Sequence, residues 1–216
     1  KIHGYALPPL SSPNLFVESN IESILESNTL ADIRDEKTFE ASIKSSKPDI
    51  IFHLAAQPLV RQSYIDPKET YSTNVMGTIN LFEAVRKVSS VKALINITTD
   101  KCYENNETQN SFVETDPMGG HDPYAASKGC SELITASYRK SFFEEKGIAI
   151  ASVRAGNVIG GGDWSIDRLI PDFFKAIDKK KDLVIRSPNA IRPWQHVLEP
   201  LMGYLQLAEK LIKTEK

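Results

Sequence analysis

The chain has 216 residues, 41% hydrophobic and 25% charged, with a formal net charge of -2. Such a composition suits a globular protein, and the near-neutral balance argues against a nucleic-acid-binding surface or a basic membrane patch. No apolar run approaches the roughly 20 residues that span a bilayer, the opening residues lack a signal-peptide pattern, and Cys102 and Cys130 have no metal-ligand spacing. The expectation is a cytoplasmic protein with reduced thiols and no metal.

Short apolar runs alternate with helical patterns along the chain. Residues 1–7 read as a strand stopped by Pro8 and Pro9, and residues 35–45 as a short amphipathic helix. The continuous apolar run 50–54 suits a strand buried on both faces of a parallel sheet. Asp66-Pro67 has the cap-then-proline form of a helix start, and that helix is predicted over 66–87. A second buried strand is predicted at 91–97. Asp122-Pro123 opens another helix ending near Gly147, followed by a strand at 148–153. Helix over 167–180, a strand-like run at 183–185 and helix over 196–214 complete the pattern.

This alternation implies right-handed βαβ units and a doubly wound, parallel α/β sheet. In such sheets ligands bind beyond the carboxyl ends of the strands. The loops with the best claim to function are therefore Ala55-Ala56-Gln57-Pro58, Thr98-Thr99-Asp100-Lys101 and Ala155-Gly156-Asn157. Tyr124 and Lys128 stand four apart, on one helix face. A neighbouring cation stabilises a phenolate, so Tyr124 is expected to act as a base below its usual range. Thr99 supplies a hydroxyl for the same substrate oxygen, although Thr98–Lys101 also suits a plain turn in which Asp100 caps the next segment. Small Ala55 and Ala56 let a flat ligand approach the backbone. Gly160-Gly-Gly162 follows the Asn157 segment without opening a helix, and reads as a turn near the substrate.

Five motifs occur in order: His53-Leu-Ala-Ala56, Tyr71-Ser-Thr-Asn74, Thr98-Thr-Asp-Lys101, Tyr124-Ala-Ala-Ser-Lys128 and Arg154-Ala-Gly-Asn157. The set resembles the extended short-chain dehydrogenase/reductases acting on nucleotide sugars. Residues 99–105, 116–124 and 191–197, with 53–64, resemble the CDP-glucose 4,6-dehydratase branch. The resemblance implies a Rossmann-type domain holding NAD over 1–156, with residues 157–216 starting a smaller nucleotide-sugar-binding region. It implies cofactor contacts at Asp32, Ile33, Leu54, Ala55, Ala56, Asn74, Thr98, Tyr124 and Lys128. It implies substrate contacts at Gln57, Arg61, Asn157 and Arg192; Arg192 also suits a surface salt bridge. Carried over, Tyr124 removes the proton of the sugar 4-hydroxyl, Lys128 lowers its pKa and Thr99 orients the hydroxyl. Hydride passes to NAD, water leaves across C5 and C6 with Asp100 as acid, and hydride returns to C6. Lys101 stands where related dehydratases carry Glu, as a base if neutral or otherwise as an electrostatic stabiliser of the enolate. The resemblance also implies a homodimer through helices 66–87 and 123–146, with Val75, Ile79, Leu133, Ile134 and Phe142 offering apolar surface.

The glycine fingerprint is absent. Residues 1–7 resemble the second strand of the fold, so the first strand and its Gly-rich helix are expected to be missing and NAD binding by this chain to be poor. No acidic residue follows Leu7 to mark NAD against NADP. Two other readings stay open: an extended nucleotide-sugar epimerase, and a non-catalytic nucleotide-binding or dimerising remnant.

Overall fold

In the computed structural model, which describes residues 1–105 and 111–213, strands β1 (His3–Ala6), β2 (Ser27–Leu30), β3 (Ile50–His53), β4 (Ala93–Thr99) and β5 (Ala149–Ala155) alternate with helices. The helices are α1 (Leu15–Glu18), α2 (Glu36–Ser46), α3 (Val60–Ile65), α4 (Pro67–Tyr71), α5 (Gly77–Arg86), α6 (Pro123–Tyr138) and α7 (Glu144–Lys146). Then follow β6 (Asn157–Ile159), α8 (Leu169–Asp178), β7 (Trp194–His196) and α9 (Leu198–Lys213). Among the described residues every strand ladder is parallel, in the groups β1–β2, β3–β4–β5 and β6–β7. The expected α/β architecture is present, with its strands divided between separate ladders.

Local chemistry explains the helix ends. Asp35, Asp66 and Asp122 accept from the backbone N–H groups of Thr38, Glu69 and Ala125, at 3.2, 2.8 and 2.8 Å, relieving donors that a helix start leaves unpaired. Pro67 and Pro123 sit in the first turns, where no N–H is needed. Gly147 ends α7 at φ 75, a left-handed conformation that costs glycine little. Two π turns interrupt the long helices, Ser72–Met76 between α4 and α5 and Arg139–Phe143 between α6 and α7. Each inserts a residue and re-aims the side chains beyond it.

The apolar core lies between the β3–β4–β5 sheet, α2, α5 and the π turn that follows α6. Leu81, Phe82, Val85, Leu94 and Phe143 are almost wholly buried there. Phe82 meets Phe143 edge to face, with ring centroids 5.6 Å apart. Gly77 lets α5 approach Ile33: a Cβ there would lie 2.7 Å from the Ile33 side chain.

Several expectations are corrected. Residues 183–185 form no strand, and the helix expected over 167–180 spans Leu169–Asp178; Asp167 has φ 56, which breaks the helical path before it starts. His196 belongs to β7, so the last helix starts at Leu198; Thr214 lies outside the described residues. β2 has no apolar run to announce it, and β6 and β7 are short segments of mixed polarity. Ile134 and Phe142, expected at a dimer surface, pack against the core instead, with the Arg86 guanidinium 3.9 Å from the Phe142 ring centre.

Truncating a fully buried aromatic side chain leaves a cavity lined by its former neighbours. Phe82→Ala should cost about 3–5 kcal/mol, read as a lower urea midpoint with an unchanged slope.

Candidate active site

The carboxyl ends of β3, β4 and β5 are brought level by their register. His53 pairs with Asn96, and Thr99 with Ala155. The loops leaving these strands therefore open on one edge of the sheet. A salt bridge and a hydrogen bond also tie the segment after β3 to the segment between β6 and α8: Arg61 of α3 meets Asp167 at 2.8 Å, and Arg168 donates to the Pro58 carbonyl at 3.4 Å.

Helix α6 brings Tyr124 and Lys128 to this edge. Ser127, Lys128, Ser131, Glu132 and Thr135 are all buried on its sheet-facing side. Lys128 donates to the Ile97 carbonyl at 3.1 Å. Its burial lowers its pKa to about 8, against the opposing charge of Glu132. Tyr124 lies in hydrogen-bonding reach of Thr99. Burial pushes the phenol above its ordinary value, while the Thr99 hydrogen bond and the Arg168 charge pull it down. The depressed phenol expected from the Tyr-Lys spacing is thus reversed, because desolvation, with the Asp100 and Asp122 charges, outweighs the Thr99 hydrogen bond and the Arg168 charge.

A 3-10 turn, Asp100–Cys102, follows Thr99. The Thr99 hydroxyl donates to Asp100 at 3.1 Å and accepts from the Lys101 N–H at 3.4 Å, so Thr99, and not Asp100, caps this turn. The Lys101 ammonium lies 6.0 Å from the Tyr124 ring centre. Burial lowers its pKa, as do the Arg192 and Arg168 charges, while Asp122 and Asp100 raise it. Thr99, Asp100, Lys101, Tyr124 and Lys128 thus share one site.

The residues expected to touch a cofactor divide by their surroundings. Leu54 is exposed at the end of β3, followed by half-buried Ala55 and Ala56. Asn74 is buried, and its amide is spent on fixing this loop. Its Oδ1 accepts from the Gln57 N–H at 2.8 Å, and its Nδ2 donates to the Gln57 carbonyl at 3.1 Å and to Ser127 at 2.9 Å. Thr98 points inward, donating to Glu132 at 2.5 Å. Ile33 is buried against Gly77, and Asp32 is held by Arg34, whose Nη2 donates to it at 2.5 Å.

Among the expected substrate contacts, Gln57 turns inward to Thr70 and Leu59. Asn157 opens β6, beside Gly156, where a Cβ would strike Pro193 at 2.7 Å. Arg192 is exposed, bonded only to its neighbour's carbonyl at 2.7 Å among the contacts described, and acts on Lys101 electrostatically. Gly162, at φ 79, closes a turn against Leu15, as the glycine run suggested. Glu132 and Arg154 were not singled out as functional from sequence. Their signal is a buried acid one turn past Lys128 and an arginine at the end of an otherwise apolar strand.

The chain matches the family model described as GDP-mannose 4,6 dehydratase over residues 15–213. It is 53% identical over 215 residues to the CDP-glucose 4,6-dehydratase of Salmonella typhimurium, covering 97% of this chain and 60% of that one. It is 31% identical to the CDP-paratose 2-epimerase of Salmonella typhi, over 62% of this chain and 43% of the other. Its fold superposes with a TM-score of 0.79 on the dTDP-glucose 4,6-dehydratase of Streptomyces venezuelae, solved with NAD and TYD bound, at 25% identity over 94% of this chain and 62% of that structure. The chain thus spans about three fifths of the length of these two dehydratases.

His53 is buried against Thr78, its Nε2 3.2 Å from Oγ1, and burial pulls its pKa from 6.5 to about 3, with the Lys128 charge adding. The unfolded chain takes up a proton near pH 6.5 that the folded chain refuses until about pH 3. Stability should therefore be full above pH 6.5 and fall below it by about 1.4 kcal/mol per pH unit. Urea denaturation from pH 4 to 8 should show wild type losing this increment relative to His53→Gln.

Proposed function

Because the chain belongs to the GDP-mannose 4,6-dehydratase family, we propose that it acts as an NAD-dependent CDP-glucose 4,6-dehydratase, forming CDP-4-keto-6-deoxyglucose. The observation that carries this reading is the meeting of Thr99, Asp100, Lys101, Tyr124 and Lys128 at one sheet edge. The 53% identity to the Salmonella CDP-glucose enzyme supports the choice of nucleotide. Residues 1–156 belong to the cofactor-binding part and residues 157–216 to the nucleotide-sugar-binding part.

NAD fits the residues present. The exposed end of β3 leads into small Ala55 and Ala56, whose loop Asn74 holds open from behind. The Lys128 ammonium acts on His53 at the end of the same strand, with one of its three donors spent on Ile97. The residues that would hold the cofactor are Leu54, Ala55, Ala56, Tyr124 and Lys128, with Asp32, Ile33, Asn74 and Thr98 shaping the walls. When bound, NAD supplies the acceptor and later the donor of two electrons for the sugar.

The chain's own groups move the protons. Tyr124 takes the proton of the sugar 4-hydroxyl, which Thr99 orients. The charged Lys128 offsets the desolvation that holds the phenol high. Once C4 is a ketone the C5 proton is acidic, and Asp100 protonates the departing C6 hydroxyl. Lys101, with its pKa lowered by burial, takes the C5 proton when neutral and returns it to C5 as C6 is reduced; if it stays charged it stabilises the enolate, and solvent exchanges the C5 proton instead. Arg61, Arg192, Asn157 and Gln57 line the nucleotide-sugar side, the arginines suiting a diphosphate.

Incubating the full-length protein with CDP-glucose and NAD should give the 4-keto-6-deoxy product, seen by its alkaline absorbance. A 4-epimerised sugar would favour the epimerase reading instead. Tyr124→Phe should abolish both reduced-nicotinamide absorbance and product. Asp100→Asn should lose dehydration by roughly 10²–10⁴-fold yet still show transient NADH; dehydration at the wild-type rate would remove Asp100 from the elimination step.

A homodimer through helices 66–87 and 123–146 is part of the same proposal. Exposed Tyr64, Ile65, Tyr71, Met76 and Leu133 support it, beside half-buried Val75 and Ile79. Light scattering at micromolar concentration should give twice the monomer mass, and Leu133→Glu should lower it.

A further inference from the structure

Glu132 is only 4% exposed, yet it receives a full set of donors. Thr98 and Ser152 each donate to it at 2.5 Å. Arg154 adds a fork, from Nε at 2.9 Å and Nη2 at 3.1 Å. The Arg154 guanidinium also stacks 4.7 Å from the Tyr103 ring centre and donates to the Glu114 carbonyl at 3.3 Å. Tyr103 in turn stacks on Phe112, with centroids 4.6 Å apart and planes 3° from parallel. One column thus ties α6 and β5 to the loop that carries Thr99, Asp100 and Lys101.

Packing alone does not explain this arrangement. Apolar residues of similar volume hold buried elements together at least as well as an ion pair, which must be stripped of water. The charge has to act on something, and the nearest candidate is one helical turn away. Lys128 and Glu132 are four apart on the buried face of α6. Lys128 is itself buried, and its ammonium donates to a neutral carbonyl, Ile97 of β4. From the other elements, His53 of β3, which burial keeps neutral, feels the Lys128 charge, while Thr98 of β4 and Arg154 of β5 reach it only through their bonds to Glu132. On α6 itself the groups one turn away are Tyr124 and Glu132. Of these, Glu132 supplies the negative charge.

We propose that Glu132 and Arg154 are positioning residues for Lys128: Glu132 is the counter-charge that keeps the buried ammonium protonated, and Arg154 limits that charge while clamping the Tyr103 loop over the site. The proposal rests on the dehydratase reading for its catalytic meaning, but not for its test. Burial already brings Lys128 down to about 8, with Glu132 opposing the fall. Removing the carboxylate should therefore release the Lys128 proton at lower pH. Removing Arg154 should do the opposite, because Glu132 then keeps its full charge.

The test is competitive labelling of the full-length protein by a small acylating reagent across pH 6–11. Only unprotonated amines react, and peptide mass spectrometry reads Lys128 against exposed lysines, without substrate or cofactor. Glu132→Gln should move the Lys128 midpoint down by on the order of one pH unit, and Arg154→Gln should move it up. Arg154→Lys keeps the charge, loses the fork and the ring stacking, and should leave the midpoint near wild type. A purely structural pair would give the same direction of shift for Glu132→Gln and Arg154→Gln, or none, and either result overturns the proposal. Should Glu132→Gln fail to fold by near-ultraviolet circular dichroism, Arg154→Gln decides alone: an unmoved or lowered midpoint is then the overturning result. If the pair governs Lys128 as proposed while the wild type turns over no CDP-glucose, the dehydratase reading fails and the positioning role stands.

Discussion

The structure depends on a layer of hydrogen-bonded polar groups between the sheet and helix α6, where an apolar seam would be the ordinary solution. His53, Asn96, Thr98 and Ser152 come from the strands, and Ser127, Ser131, Glu132 and Thr135 from the helix. Asn96 reaches both Ser131 and Thr135, at 2.9 and 2.8 Å, and Thr78 of α5 lies 3.2 Å from Ser131 and from His53. Hydrogen bonds are directional and unforgiving when left unmade. A helix seated on them has one register, whereas methyl groups tolerate small slides. Within this layer only the Asn96 Oδ1 lacks a partner among the described residues. The specificity gained is placement: Tyr124 and Lys128 are delivered to the sheet edge by a helix that cannot shift without breaking several buried bonds.

That placement creates an electrostatic conflict at the site. Burial favours the neutral form of both Tyr124 and Lys128. A phenolate beside an ammonium is the charged form of both. The pair can work only where each charge supports the other and outside charges tip the balance. Arg168 and the Thr99 hydroxyl help the phenol to ionise, and Glu132 helps the amine to stay charged. On the proposed reading the site is a network in which the Glu132–Arg154 pair, one helical turn from Lys128, sets the protonation of an ammonium with which it makes no salt bridge.

The legible part of the chain was the part written in strong local signals. The Asp-Pro starts at Asp66 and Asp122, the apolar runs before His53 and Thr99, and the glycine at 147 each encode a boundary by local physics, and each holds within a residue or two. The segments that escaped lack such signals. β2 reads Ser-Asn-Thr-Leu and is a strand because β1 lies alongside it, register by register. The run at 183–185 is apolar enough for a strand but finds no ladder to join. At the site, the motif residues Thr99, Asp100, Lys101 and Tyr124 meet at one edge, but side-chain direction was beyond sequence. Gln57 in the loop after β3, Asn74 in the π turn before α5 and Thr98 near the end of β4 all turn their polar atoms inward.

This inward turn bears on what a motif means in such a fold. A polar residue repeated at a ligand-binding edge can touch the ligand or hold the residue that does. Asn74 spends both faces of its amide on the backbone of Gln57 and the hydroxyl of Ser127, so it joins the β3 loop, 17 positions before it, to α6, 53 positions after it. Loss of its side chain would leave a buried N–H and a buried carbonyl unpaired at once. The loop with Ala55 and Ala56 would then be free to move relative to Lys128. The same logic extends to Thr98 and Glu132, farther along the same buried face of α6. The buried face of α6 is thus braced at both of its ends by polar side chains, and the polar groups those braces leave over at this edge are Thr99, Asp100, Lys101, Tyr124 and the remaining donors of Lys128.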